Sequence, residues 1–121
     1  MNLCNFSLQG VDCDIHPEVN RIIGEMLTAN KPLGFICIAP ALFARAAKNA
    51  NKTAIITIGN DQATADQIEK LGSQHIACTV DDFAVDEENK IVSTPAYMLA
   101  GSISEAASGI EKLVQKILSW I

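Results

Sequence analysis

Cys37 is the residue in this sequence best placed for nucleophilic chemistry. It stands in Gly34-Phe35-Ile36-Cys37-Ile38-Ala39-Pro40, an apolar run leading into an alanine-proline helix start. Buried strand, reactive side chain, helix: that order is a nucleophile-elbow pattern. A sharp turn lifts the side chain out of the sheet, and the next helix aims free N–H groups and its positive end at it. The same N–H groups, beginning with that of Ile38, can hold an oxyanion. A free thiol with a pKa of about 8.5 is only a few per cent thiolate at neutral pH, and a helix N-terminus lowers that value. The pattern also fits a cysteine buried in a strand as a small hydrophobe, and spacing alone leaves both readings open.

The other candidates have plainer explanations beside the chemical ones. His75 precedes a short apolar segment, where a structural hydrogen bond at a strand edge competes with catalysis. His16 opens a helix. Cys78 shares a short segment with Ile76 and reads as core, while Cys4 and Cys13 lie in the opening segment with nothing to pair them. Asp81, Asp82, Asp86, Glu87 and Glu88 form an acidic run without the spacing or central glycine of a calcium loop, so a solvated hairpin is the better reading. Tyr97, after Thr94-Pro95, either offers its hydroxyl near the site or packs its ring on the sheet.

The elements that must position these residues follow from periodicity and caps. Met1 to Ile15 has no clear period and reads as a loop. His16-Pro17-Glu18 opens a helix carried by Val19, Ile22, Ile23, Met26 and Leu27 and ended by Asn30-Lys31-Pro32. Leu33 to Ile38 is a buried strand, and Ala39-Pro40 starts a helix to about Ala50. Thr53 to Ile58 is a second strand. Asp61 caps a helix to Leu71 that Gly72 stops. His75 to Thr79 is a third strand, and Phe83 to Asp86 with Lys90 to Thr94 form a hairpin. Ser102 and Glu105 make a capping box ahead of one apolar stripe, Ile103, Ala106, Ala107, Ile110, Leu113, Val114, Ile117 and Leu118.

This alternation predicts an α/β fold, a parallel sheet flanked by helices on both faces, in a single domain over residues 1–121. Three strands and a hairpin are few for four helices, so the sheet reads as lacking its N-terminal strands. The 121 residues are 49% apolar and only 5% aromatic, which implies an aliphatic core. A net charge of −5 without a basic run argues against nucleic acid and anionic membranes as partners. The longest apolar run, Phe35 to Leu42, is too short to span a bilayer. The four cysteines match neither a secreted disulfide framework nor a zinc or redox pair, and the start lacks a signal-peptide core. A reduced, cytoplasmic, soluble protein is expected.

Lys31 to Ala41 resembles the nucleophile-bearing segment of the ElbB-type proteins, a family of the PfpI superfamily. Thr57-Ile58-Gly59-Asn60-Asp61, Val80-Asp81-Asp82 with Asn89-Lys90-Ile91-Val92, Thr94 to Ala100, and Glu105 to Ile110 resemble it in the same order. Asn2-Leu3 with Asn5-Phe6 is similar to a loop lying well inside longer family members. The resemblance implies a class I glutamine-amidotransferase-like (flavodoxin-like) fold, of which this chain would be the C-terminal half. It implies a glyoxalase-type enzyme that converts glyoxal-like dicarbonyls to hydroxy acids without metal or organic cofactor, under an older label of isoprenoid biosynthesis. Cys37 would be the nucleophile and Ile38 a backbone oxyanion donor, with Gly34, Tyr97 and His75 lining the site. The superfamily's acidic residue and glycine-rich oxyanion loop belong to its N-terminal half, and its usual histidine positions hold Ile38 and Gly59-Asn60 here. The alternative is a catalytically incomplete module for binding or oligomerisation. Either way the expected partners are a small carbonyl substrate and further copies of the chain, as a homo-oligomer.

Overall fold

The computed structural model describes residues 2–121. Its helices are α1 (Phe6–Gln9), α2 (Pro17–Thr28), α3 (Ala39–Asn49), α4 (Gln62–Lys70) and α5 (Ile103–Ser119). Its strands are β1 (Leu33–Ile36), β2 (Ile55–Ile56), β3 (Gln74–His75), β4 (Ala84–Asp86) and β5 (Ile91–Thr94). β1 runs parallel to β5, β5 pairs antiparallel with β4, and β2 runs parallel to β3. The architecture is α/β with a mixed sheet, the antiparallel member being the expected hairpin.

Local chemistry accounts for the helix starts. The His16 ring accepts from the Glu18 N–H, with Pro17 at the first helical position. Asp61 accepts from the Thr64 N–H, and Ser102 accepts from that of Glu105. Glu105 reaches back to the Gly101 N–H at 2.7 Å, one residue earlier than a capping box would place it. Gly72, at φ +99°, stops α4 as expected.

β1 is covered on both faces. Phe35 stacks on Phe43 of α3 with ring centroids 4.5 Å apart. On the opposite face Gly34 lies beneath α5, where a Cβ would come within 2.7 Å of Ile117 Cδ1 and 2.9 Å of Leu113 Cδ2. α5 approaches the sheet again at Gly109, whose missing side chain leaves room for Thr94 Oγ1 and the Val80 carbonyl. The core is aliphatic as expected, with Ile56, Ile58, Ile68, Ile91 and most of α3 buried.

Four expectations change. The opening segment is not a plain loop: α1 and a 3-10 turn (Gly10–Asp12) fold there, and Cys4 bridges Ile15 in antiparallel fashion. Long-range contacts hold it, the Val11 N–H to Gln67 and the Arg45 guanidinium to the Val11 carbonyl. The second and third strands shrink to two residues each, because side chains replace a neighbouring strand along β2. The Ile55 N–H donates to Asp86 Oδ2 and the Thr57 N–H to Ser93 Oγ, each at 2.9 Å. Cys78 falls outside any strand and is half-buried rather than core. The α5 stripe is narrower than its sequence period, since Ile103, Val114 and Leu118 point away from the sheet and stay exposed.

Candidate functional site

Strand β1 stops two residues before its apolar run does, and the reason is Cys37. Its φ of +66° lies in the left-handed region, which costs a residue with a Cβ about 1–2 kcal/mol. Its backbone N–H still reaches the Thr94 carbonyl at 3.0 Å, so the ladder with β5 continues through the turn. α3 begins two residues later, after Ile38, with no side-chain cap. Pro40 has no N–H to offer. Among the described residues the N–H groups of Ile38 and Ala39 meet no acceptor. An uncapped helix start carries partial positive charge beside the thiol. The side chain of Cys37 is half-buried and makes no hydrogen bond to a described residue.

The turns leaving β1, β2 and β5 meet at one end of the sheets. Gly59, following β2 at φ +109°, packs on Leu99 and Pro95, where a Cβ would approach 3.1 Å and 3.3 Å. Pro95 directly follows Thr94, whose carbonyl holds the Cys37 N–H. Carboxyl ends of parallel strands are where open α/β sheets bind their ligands. Beside the turn is a cleft of about 470 Å³ between the opening segment (Asn2, Leu3, Cys4, Phe6, Ser7) and Ile36, Ile38, Ala39 and Leu42.

The remaining expected residues divide. Ile38 directly follows Cys37 and immediately precedes α3. Tyr97 lies on a 3-10 turn (Ala96–Met98) just after β5, at the same end as Cys37; its side chain is 63% exposed, so its ring is not packed on the sheet. Gly34 lies under α5 and serves packing. His75 belongs to the β2–β3 pair, and its Nε2 accepts the Ile58 N–H at 3.2 Å rather than facing Cys37. Burial holds its pKa below the usual histidine value. With His16 committed to the Glu18 N–H, both histidines of the chain have a ring nitrogen engaged by backbone.

Burial pushes the Cys13 thiol up, with Cys4 adding to the shift. Burial also raises the Cys78 thiol, against a hydrogen bond from Thr57 that lowers it. The acidic run is split: Asp86 is buried and accepts from Ile55 and Asn89, whereas Glu87 pairs with Lys116 on the surface at 2.6 Å. Sequence reasoning missed Thr94 and Ser93. Two polar residues closing the run Ile91-Val92-Ser93-Thr94 were the available signal, since a buried hydroxyl needs a partner.

No family model matches the chain. It is 35% identical over 126 aligned positions to the ES1 protein homolog, mitochondrial, of Rattus norvegicus, covering 97% of this chain and 46% of that protein. Identity and coverage are the same for the glutamine amidotransferase-like class 1 domain-containing protein 3, mitochondrial, of Homo sapiens. The mitochondrial ES1 protein of Danio rerio is 27% identical over 109 positions, covering 80% of this chain and 39% of that one. Among solved structures, an isoprenoid biosynthesis protein with an amidotransferase-like domain from Ehrlichia chaffeensis superposes with a TM-score of 0.84 at 28% identity. That match covers 99% of this chain and 53% of the other.

The expected cytoplasmic placement is overturned, because these three relatives are all named as mitochondrial proteins. Cysteine usage reports only a reducing surrounding, and the first residues of a chain spanning 46% of its relatives say nothing about a leader. Sequence likeness, the superposition and the strand–turn–helix geometry agree: the chain carries the class I glutamine-amidotransferase-like fold and spans about half the length of the curated relatives it matches.

Proposed function

We propose that Cys37 is the nucleophile of a glyoxalase-type reaction on a small dicarbonyl. The observation that carries this reading is the left-handed φ of +66° at a residue that is not glycine, placed directly before an uncapped helix. Strain of this kind persists where the surroundings impose it, and it collects at functional sites. The thiolate adds to one aldehyde carbon, forming the C–S bond as the carbonyl π pair moves to oxygen. The Ile38 and Ala39 N–H groups are the donors that meet that oxygen. A base takes the C–H proton and the neighbouring carbon receives one, so that one carbon is oxidised as the other is reduced. Water then attacks the resulting thioester, the C–S bond breaks, and hydroxy acid leaves as the thiolate returns. Neither histidine supplies the base. The resemblance puts an acidic residue near the nucleophile, in the part of the relatives that this chain does not span. The relatives' names favour a mitochondrial setting for the reaction.

The test is the first half of the chemistry, which needs only the thiol. The purified chain is incubated with glyoxal, pulsed with iodoacetamide to label the thiols left free, and mapped by peptide mass spectrometry. Protection of Cys37 from the pulse, well above that of Cys78, is expected. A chain protected at Cys78 but not at Cys37 would refute the reading.

A further inference from the structure

We propose that Thr94 is a positioning residue for Cys37: its hydroxyl fixes the carbonyl that holds the cysteine in its left-handed turn. The proposal rests on the nucleophile reading of Cys37 and names the group that keeps that turn in place. A thiol set beside two helix N–H groups is useful only where its backbone stays put. At φ +66° a residue with a Cβ is held by its surroundings rather than by its own preference. The bond that holds it runs from the Cys37 N–H to the Thr94 carbonyl at 3.0 Å.

Thr94 is the last residue of β5, and its two sides differ. Toward β1 it stays in register, opposite Ile36. Toward β4 the ladder has already ended, because its final pair is Ala84 with Ser93. Pro95 brings no N–H to extend either ladder. On the β4 side a side chain takes over: Thr94 Oγ1 donates to the Asp82 carbonyl at 2.7 Å.

The threonine is fully buried, and α5 closes over this bond at Gly109. A Cβ there would come within 2.6 Å of Thr94 Oγ1 and 3.5 Å of the Asp82 carbonyl oxygen. The neighbouring Asp81 carbonyl accepts from Lys112 of the same helix. The Thr94 hydroxyl thus ties the end of β5 to the chain entering β4, beneath α5. The carbonyl of the same residue ties Cys37 to β5. Ser93 offers the contrast: its adjacent hydroxyl is equally buried but serves the Thr57 N–H.

Site-resolved iodoacetamide labelling and amide hydrogen exchange on the full chain test this together. Valine has the shape of threonine without the hydroxyl. In Thr94→Val, labelling of Cys37 at neutral pH should slow by about threefold or more, and the Cys37 amide should exchange at least about tenfold faster. The Leu33 amide, which donates to the Lys90 carbonyl at the other end of the same ladder, should keep its rate. Thr94→Ser retains the hydroxyl and should restore both Cys37 readouts. Ser93→Ala should lower stability in urea yet leave both unchanged. Should the valine variant fail to fold, Thr94→Ala, which sets no methyl against the Asp82 carbonyl, carries the same expectations. Cys37 labelling that is unchanged or faster without the hydroxyl would overturn the inference. So would an equal effect from Ser93→Ala or Thr94→Ser, since either marks a merely structural side chain. Failure of the nucleophile reading shows separately, in the wild-type chain, as labelling of Cys37 no faster than that of Cys78.

Discussion

Two strand-to-helix turns meet at the carboxyl ends of the sheets, and they are built by opposite rules. The turn after β2 uses glycine at φ +109°, and Asp61 caps the helix that follows. The turn after β1 uses cysteine at φ +66°, and α3 starts with no side-chain cap. The first satisfies every local preference; the second departs from two of them within three residues. Asn30, Asn51, Lys90 and Ala96 share the positive φ, but only Cys37 leads into the start of an α-helix. Departures from local rules collect at functional sites. Each departure also has a chemical use, because the strained residue projects a thiol and the missing cap leaves N–H groups for an anion.

The contrast predicts opposite responses to substitution. Gly59→Val should destabilise most, by about 3 kcal/mol, since a branched side chain there meets both positive φ and contact with Leu99 and Pro95. Urea denaturation measures it, and a loss near zero would show that the β2 turn is not glycine-dependent. Cys37→Gly should do the reverse, raising stability by up to about 1 kcal/mol as strain is released, while ending adduct formation with glyoxal. Loss of stability in Cys37→Gly would mean that the cysteine is kept for packing.

The smallest effect is in pH, and it should appear only at the β2 turn. Burial holds the His75 pKa below its usual 6.5, and the neutral ring accepts the Ile58 N–H. Below 6.5 the unfolded chain takes up the proton first. This contribution to stability is therefore full above 6.5 and declines as pH falls toward the lowered folded value. Amide exchange at Ile58 should quicken over that window relative to Cys37, and His75→Gln should remove the difference. Equal acceleration at both amides would show that the two turns are not separately held.

Helices were legible because their signals are local: His16-Pro17, Asp61, Ser102 with Glu105, and Gly72 each act within a few residues. Strand lengths were not. Thr53 to Ile58 reads as a full strand, but the Asp86 and Ser93 side chains serve where a sheet neighbour would, and no local pattern announces that. The opening segment lacked a period because its order comes from Gln67 and Arg45, far along the chain. At the turn, the strand–cysteine–helix order was legible directly, because the strand end, Cys37 and the helix start are nearly consecutive. Gly34 and His75 had the residue types of a site, but their roles are to admit α5 and to anchor a backbone amide. Only three-dimensional packing separates those uses.

The central claim is that the β1 turn presents a thiol kept ready for reaction. Site-resolved alkylation of the native chain with iodoacetamide at neutral pH tests it most directly. Cys37 should react well ahead of Cys78, whose thiol is raised by burial, and ahead of the buried Cys13. Labelling of Cys37 no faster than that of Cys78 would contradict the account and return Cys37 to the role of a packed side chain.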